Sequence, residues 1–203
     1  MTVANFQDSS SIPTAKKRVP RPISWENFKR KYLSREDTWK YEWVSGVVQK
    51  TKRFMYQEQF YILYNLRSLF TNLLSQEKVN GALEPEIDTF FLADVHRRPD
   101  MAWFSLKQIA LMAKGENQVP AFVIEIISPS DKAKSVQEKL KNYRDAGVQV
   151  IWQIYLHLEE VNICLKDSSI TCSGDKICTA APALPAFQLA AKDIFHKPDN
   201  EVV

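Results

Sequence analysis

Glycine is scarce in this chain, 5 residues of 203, and no tract is dominated by one residue type, so collagen-like and low-complexity architectures are excluded. Cysteine is sparser still. Cys164, Cys172 and Cys178 are an odd count in the last fifth of the chain with no Cys-x-x-Cys pair, so neither a zinc site nor a disulfide framework is expected. Small semi-apolar residues in strands or near turns, in a compartment that keeps thiols reduced, fit them. His96, His157 and His196 stand at no zinc-like spacing. No apolar run reaches the ~18 to 20 residues that a spanning helix needs, and Met1–Ser11 lacks the basic-then-apolar plan of a secretory signal. The expectation is a cytoplasmic protein with no membrane association.

What is present is a globular balance, 45% hydrophobic and 25% charged, in a length that fills one core and falls short of two. Charge is unevenly placed. Residues 1–31 hold seven basic side chains against Asp8 and Glu26, a net of +5, which leaves −2 for the rest of a chain whose total is +3. Pro13, Pro20, Pro22 and the Ser9–Ser11 run describe a flexible basic arm over residues 1–23, followed by one domain over 24–203. The arm either lies along a phosphate backbone or is simply solvated.

Regular structure is predicted to start at Ser24, capping a short helix in an imperfect capping box with Asn27. Residues 39–50 read as a hairpin turning at Ser45-Gly46. Phe60, Leu63, Tyr64, Leu66, Phe70, Leu73 and Leu74 give residues 57–74 the spacing of an amphipathic helix. Residues 82–91 and 97–104 read as strands around a polar turn at 93–96, and Ser105 as the cap of a helix ending at Met112. Residues 119–127 form an apolar, β-branched run of the kind buried on both faces of a sheet. A helix over 136–145 stops at Gly147, and 148–156 is the next buried strand. Residues 161–165 and Ile177 then flank a turn at Ser173-Gly174, and 187–195 is a last short strand or helix. The order predicts a single mixed α/β domain, a central sheet flanked by helices.

Glu125 is the informative residue. An ionised carboxylate inside so apolar a strand costs several kcal/mol unless a metal, a cation or a proton compensates it. Asp100 heads the strand Met101-Ala102-Trp103-Phe104, and two strands ending in carboxylates describe a divalent-cation site of Mg²⁺ type. Lys139, Tyr143 and Gly147 recur at steps of four and share a helix face that would carry the Lys139 ammonium to those acids.

Four segments, Lys40-Tyr41-Glu42-Trp43-Val44-Ser45-Gly46, Arg98-Pro99-Asp100-Met101-Ala102, Phe122 to Asp131, and Lys139-x-x-x-Tyr143-x-x-x-Gly147-Val148, together resemble the signature of the bacterial "putative restriction endonuclease" family of the PD-(D/E)xK nuclease superfamily. They match in order from about residue 38 to Phe195, and the closing 183–187 and 193–195 segments look like the family's C-terminal part. The resemblance implies a restriction endonuclease-like fold with a mixed sheet of four or five strands and a phosphodiesterase site at one edge. The family's lysine has moved from the second acid's strand, where this chain has Ile127, to the following helix, where Lys139 matches it. By resemblance Asp100 and Glu125 hold Mg²⁺ or Mn²⁺, Glu42 assists the ion or the water, and Lys139 stabilises the pentavalent phosphorane.

The chain departs from the family pattern with Gln59 in place of a histidine, with no acid after Trp152 in the 151–155 strand, and with Ser45-Gly46 in place of Asp-Gly. Two functions fit these residues: a Mg²⁺-dependent DNA endonuclease, and a nucleic-acid- or partner-binding module on a nuclease scaffold with weak or no catalysis. The aromatics Trp39, Tyr41, Trp43, Phe54, Tyr56, Phe60, Tyr61 and Tyr64 read either as a base-stacking platform or as core and dimer interface. A homodimer would use the sheet edge or the 57–74 helix.

Overall fold

The computed structural model describes residues 21–52 and 57–198. All but the last three residues of the expected basic arm therefore lie outside the described residues, as do Phe54 and Tyr56. Ser24 accepts the Asn27 N–H at 3.3 Å and starts α1 (Trp25–Phe28), which runs into a π-helical turn, Lys29–Leu33. The Asn27 amide also donates to the Ser24 hydroxyl, the imperfect form of the box. β1 (Trp39–Val44) and β2 (Val47–Lys52) pair antiparallel around Ser45 at φ 47 and Gly46 at φ 80, the two left-handed residues that a two-residue hairpin turn requires.

α2 (Gln57–Ser75) buries Ile62, Leu66, Phe70 and Leu73, but Phe60 and Tyr64, expected in its apolar stripe, are 62% and 55% exposed. Two residues either side of Ile62 fall nearly opposite it at about 3.6 residues per turn, and the core selects the Ile62 face. The expected long strands over 82–104 are four short ones, β3 (Ala82–Glu84), β4 (Thr89–Leu92), β5 (Val95–Arg97) and β6 (Met101–Phe104). Pro85 and Pro99 lack the N–H that a continuing ladder would use, and the pieces go to different sheets.

Ser105 caps α3 (Leu106–Met112) in a full capping box with Gln108. Then β7 (Phe122–Ile127), α4 (Ala133–Asp145) and β8 (Val150–Tyr155) form a parallel β-α-β unit. β9 (Glu160–Cys164), β10 (Ser169–Ser173), β11 (Ile177–Ala180), β12 (Leu184–Ala190) and α5 (Ala191–Ile194) complete the chain. The last predicted element is thus a strand followed by a helix, and β10 is an addition, its residues Ser169 to Ser173 mostly exposed and weakly patterned.

The main sheet runs β10-β9-β8-β7-β6-β3, six strands where four or five were expected, because β3 and β10 extend its edges. A second sheet runs β2-β1-β5-β4, and β11-β12 is a ribbon. Along β7, Phe122, Ile124 and Ile126 face one core with α2 residues, while Val123 faces the other with Leu140 and Tyr143 of α4 and Val44 of β1. By alternation Glu125 shares the Val123 side, which sets it between α4 and the second sheet. Cys164, Cys172 and Cys178 are free and buried, as small core residues. Among the described residues no helix is long and apolar enough to cross a membrane.

Gly81 has φ +86, and a Cβ there would lie 2.0 Å from the Phe104 carbonyl oxygen. Gly81→Ala is therefore expected to cost about 2 kcal/mol or more, read as a lower denaturation midpoint. An unchanged midpoint would contradict that close approach.

Candidate functional site

β6 and β7 run antiparallel with Met101 opposite Ile124, so one step further along Asp100 faces Glu125. Asp100 is locked from two sides. Its Oδ2 accepts the Ile126 N–H at 2.8 Å, and its Oδ1 accepts from the Lys40 ammonium at 2.8 Å. Glu125 is held from α4: Lys139 Nζ donates to Oε2 at 2.8 Å and the Tyr143 hydroxyl to Oε1. The i, i+4 spacing of these two donors carries both to the same carboxylate.

Glu42, in β1, is 2% exposed. Its Oε2 accepts from Arg97 at 2.9 Å, and its Oε1 from the Arg98 backbone N–H at 3.0 Å, with Lys139 Nζ at 3.8 Å. Arg97 is 1% exposed and also donates to Gln49, to Asn142 at 2.6 Å and to Glu138 at 3.3 Å. Lys40 and Glu42 point the same way because they stand two apart in β1, while Tyr41 and Trp43 turn to an aromatic cluster with Phe28. Glu42, Asp100, Glu125 and Lys139 are thus brought together by β1, β6, β7 and α4. Lys40, Arg97 and Tyr143 complete the arrangement.

The cluster opens to solvent beside Asp100 and Lys139, whose side chains are 25% and 15% exposed. Glu125 continues as a polar row across the main sheet: Gln153 is its partner on β8, and Asn162 donates to Gln153 at 3.3 Å. Tyr155, two residues on, closes the strand that lacks the family's acid. Gln59, in the first turn of α2, is half-buried and joins none of the hydrogen bonds described for the cluster. The aromatic platform is not available at Tyr41 and Trp43, which are buried at 5% and 9%.

Three carboxylates face three cations, and their pKa values follow. Burial works against ionisation of Glu42, but Lys139, Arg97 and Lys40 and the Arg98 N–H overcome it and hold the carboxyl near 2. Burial likewise opposes ionised Asp100, and Lys40, Lys139 and the Ile126 N–H pull it below the ordinary range. Glu125 goes the other way: burial, with Asp100 and Glu42 as like charges, outweighs Lys139 and Lys40 and raises it. Burial alone would depress Lys40, yet Asp100, Glu125 and Glu42 keep it above a free lysine, and Glu125 and Glu42 do the same for Lys139.

A depressed carboxylate lends stability above its unfolded pKa and loses it as pH falls through the folded value. The Glu42 contribution is full above 4.5 and drains towards 2, about 3 kcal/mol in all. Asp100 adds in the same sense, whereas the raised Glu125 takes up its proton earlier in the fold and returns part of the loss. Denaturation midpoints measured between about pH 6 and pH 2 should fall below pH 4.5 in the native chain and fall less steeply in Glu42→Gln. Equal slopes would assign the acid sensitivity to other groups.

Among the described residues no group of three or more His, Cys, Asp or Glu side chains is placed to hold a metal ion. Asp100 and Glu125 are the pair that stand as cross-strand neighbours, and the Asp100 side chain reaches solvent. Sequence reasoning missed Lys40, Arg97 and the hydroxyl of Tyr143. The signal for Lys40 was its two-residue separation from Glu42 in a strand otherwise apolar and aromatic, and that for Arg97 was its place beside Arg98-Pro99-Asp100.

A family model described as "Uma2: Putative restriction endonuclease" matches residues 25–192. Among solved structures, that of a putative nuclease belonging to DUF820 from Anabaena variabilis ATCC 29413 is similar with a TM-score of 0.71 and 19% identity, over 86% of this chain and 98% of that one. At that identity the likeness is one of fold. No curated protein matches the chain.

Proposed function

The chain belongs to the Uma2 family of putative restriction endonucleases, and from that premise we propose that it is a metal-dependent nuclease hydrolysing DNA phosphodiester bonds at the Glu42, Asp100, Glu125 and Lys139 cluster. The observation that carries the reading is Glu125, a buried carboxylate inside β7 opposite Asp100, bonded to an ammonium and a phenol from one helix face. The donors fit Mg²⁺ or Mn²⁺, which take one or two carboxylates and complete their shell with water. Such an ion supplies Lewis-acid polarisation of the phosphate and a water of lowered pKa.

The chain's own residues do the rest. Asp100 and Glu125 hold the cation, and Asp100 is kept in place by the Ile126 N–H. Lys139 stands 2.8 Å from Glu125 and 3.8 Å from Glu42, and offsets negative charge gathering on the phosphoryl group. Glu42 orients Lys139 and the attacking water, and Arg97 is a positioning residue for Glu42. The basic segment over residues 1–31 supports a polyanionic substrate. Two copies would serve the two strands, and the exposed Phe60 and Tyr64 support α2 as their contact. Three free, buried thiols support a cytoplasmic setting.

One observation favours the alternative of a binding module with weak catalysis: both oxygens of Asp100, Glu42 and Glu125 are already engaged by protein donors. Calorimetric titration with Mn²⁺ and a plasmid-nicking assay separate the two. Wild type should bind and cut, Asp100→Asn should lose the heat, and Glu125→Gln should lose cutting while remaining folded. Equal heats from wild type and Asp100→Asn would remove the metal site. Nucleic-acid binding with no cutting in either wild type or Glu125→Gln would establish the module.

A further inference from the structure

We propose that the Lys40 ammonium is a tethered cation that competes with the divalent ion for Asp100, so that metal binding must displace this side chain. The inference rests on the metal-dependent reading above and concerns what sets the affinity of that site.

The two oxygens of Asp100 are turned different ways, one to β7 and one to the cluster. Oδ2 is committed to the Ile126 backbone N–H at 2.8 Å, which fixes the carboxylate against β7. Oδ1 therefore faces the cluster, and there Lys40 Nζ stands at 2.8 Å, its side chain 9% exposed. A divalent ion on that oxygen at about 2.1 Å would share a partly desolvated space with the ammonium, where like charges repel strongly. The other cations are tied more widely. Arg97 is forked among Glu42, Gln49, Asn142 and Glu138, and Lys139 lies between Glu125 and Glu42. Lys40 comes from the hairpin on a flexible four-carbon stem, and its hydrogen bond is to Asp100. Of the three, it is the cation whose withdrawal disturbs the fewest bonds and frees the oxygen a metal needs.

Removing a cation that merely stands near the site would raise affinity only slightly, whereas removing one that must leave Asp100 before the ion can bind raises it much further. Mn²⁺ titration of the full chain, followed by calorimetry, reads the difference. Lys40→Met is expected to bind Mn²⁺ about tenfold tighter than wild type or more, and Lys40→Met/Asp100→Asn to lose that gain. Equal, weaker or only slightly tighter binding by folded Lys40→Met, with wild type binding normally, overturns this inference and leaves the metal site standing. No binding by wild type or Lys40→Met overturns the metal-dependent reading as well. Should Lys40→Met fail to fold, wild type labelled with ¹⁵N on its lysine side chains decides the matter. The buried Lys40 ammonium resonance, assigned with Lys40→Arg, must move on adding Mg²⁺, and an unmoved signal at saturating metal overturns the proposal.

Discussion

Arg97→Met is expected to cost the fold about 3–5 kcal/mol, because it removes one partner of a buried ion pair and leaves Glu42 ionised without its nearest guanidinium. At ~2–4 °C per kcal/mol for a chain of this size, the melting temperature should fall by roughly 6–20 °C. The size of the effect follows from how completely the guanidinium is enclosed. It is 1% exposed, and Glu42, Gln49, Asn142 and Glu138 from three other elements accept from it, so one substitution orphans acceptors on β1, β2 and α4 together. Adding Glu42→Gln should recover part of the loss, since the uncompensated charge is then gone. Circular dichroism melts of the two single variants and the double variant measure the coupling. A loss below about 1 kcal/mol for Arg97→Met would show that water reaches Glu42 and that the pair is not sealed.

Lys139→Met should have the largest effect on catalysis. Under the nuclease reading the ammonium is fixed positive charge beside the developing phosphoryl charge, and deleting one such preorganised group lowers kcat by about 10²–10³. Met keeps an unbranched stem of similar length, so the small cavity that Lys139 lines with Val136 and Leu140 stays filled on that side. Metal affinity should hold or rise, because a cation beside Glu125 and Glu42 has been taken away. Nicking rates at saturating Mn²⁺ and the Mn²⁺ affinity of the same preparation provide the test. Cutting at the wild-type rate would exclude Lys139 from the chemistry, and loss confined to metal affinity would make it a positioning group.

The parts of the fold that the sequence makes legible are those where one period dominates. The β7-α4-β8 unit is read directly, because a β-branched run, a charged helix and a second apolar run follow one another with Gly147 between. Glu125 stands out there because its neighbours in the sequence are all apolar, and Lys139 follows from the phase of the helix. Where elements are short, the pattern fades. The 82–104 segment contributes to two sheets, and a run of three or four residues has no periodicity to show which. On α2 the aromatic residues Phe60 and Tyr64 mask the true interior stripe through Ile62 and Leu66. Lys40 and Arg97 are hidden for a different reason. A basic residue in a strand reads as solvent-facing until a second sheet is known to cover it, and the covering comes from tertiary contacts that no local window contains. The resemblance supplies the order of the acids and takes in Lys40 with its first segment, but gives that lysine no role.

The alternation along β1 gives the cluster a second consequence. Lys40 and Glu42 lie on one side of the strand, Tyr41 and Trp43 on the other, so a one-residue slip of the hairpin would exchange the two sets. An ammonium and a carboxylate would then enter the aromatic cluster of Phe28 and Trp25, and two large rings would be forced among stranded charges. Both errors are penalised at once. The ionic contacts of the site therefore act as a key that admits a single alignment of the hairpin against its neighbours, specifying the architecture that in turn holds them.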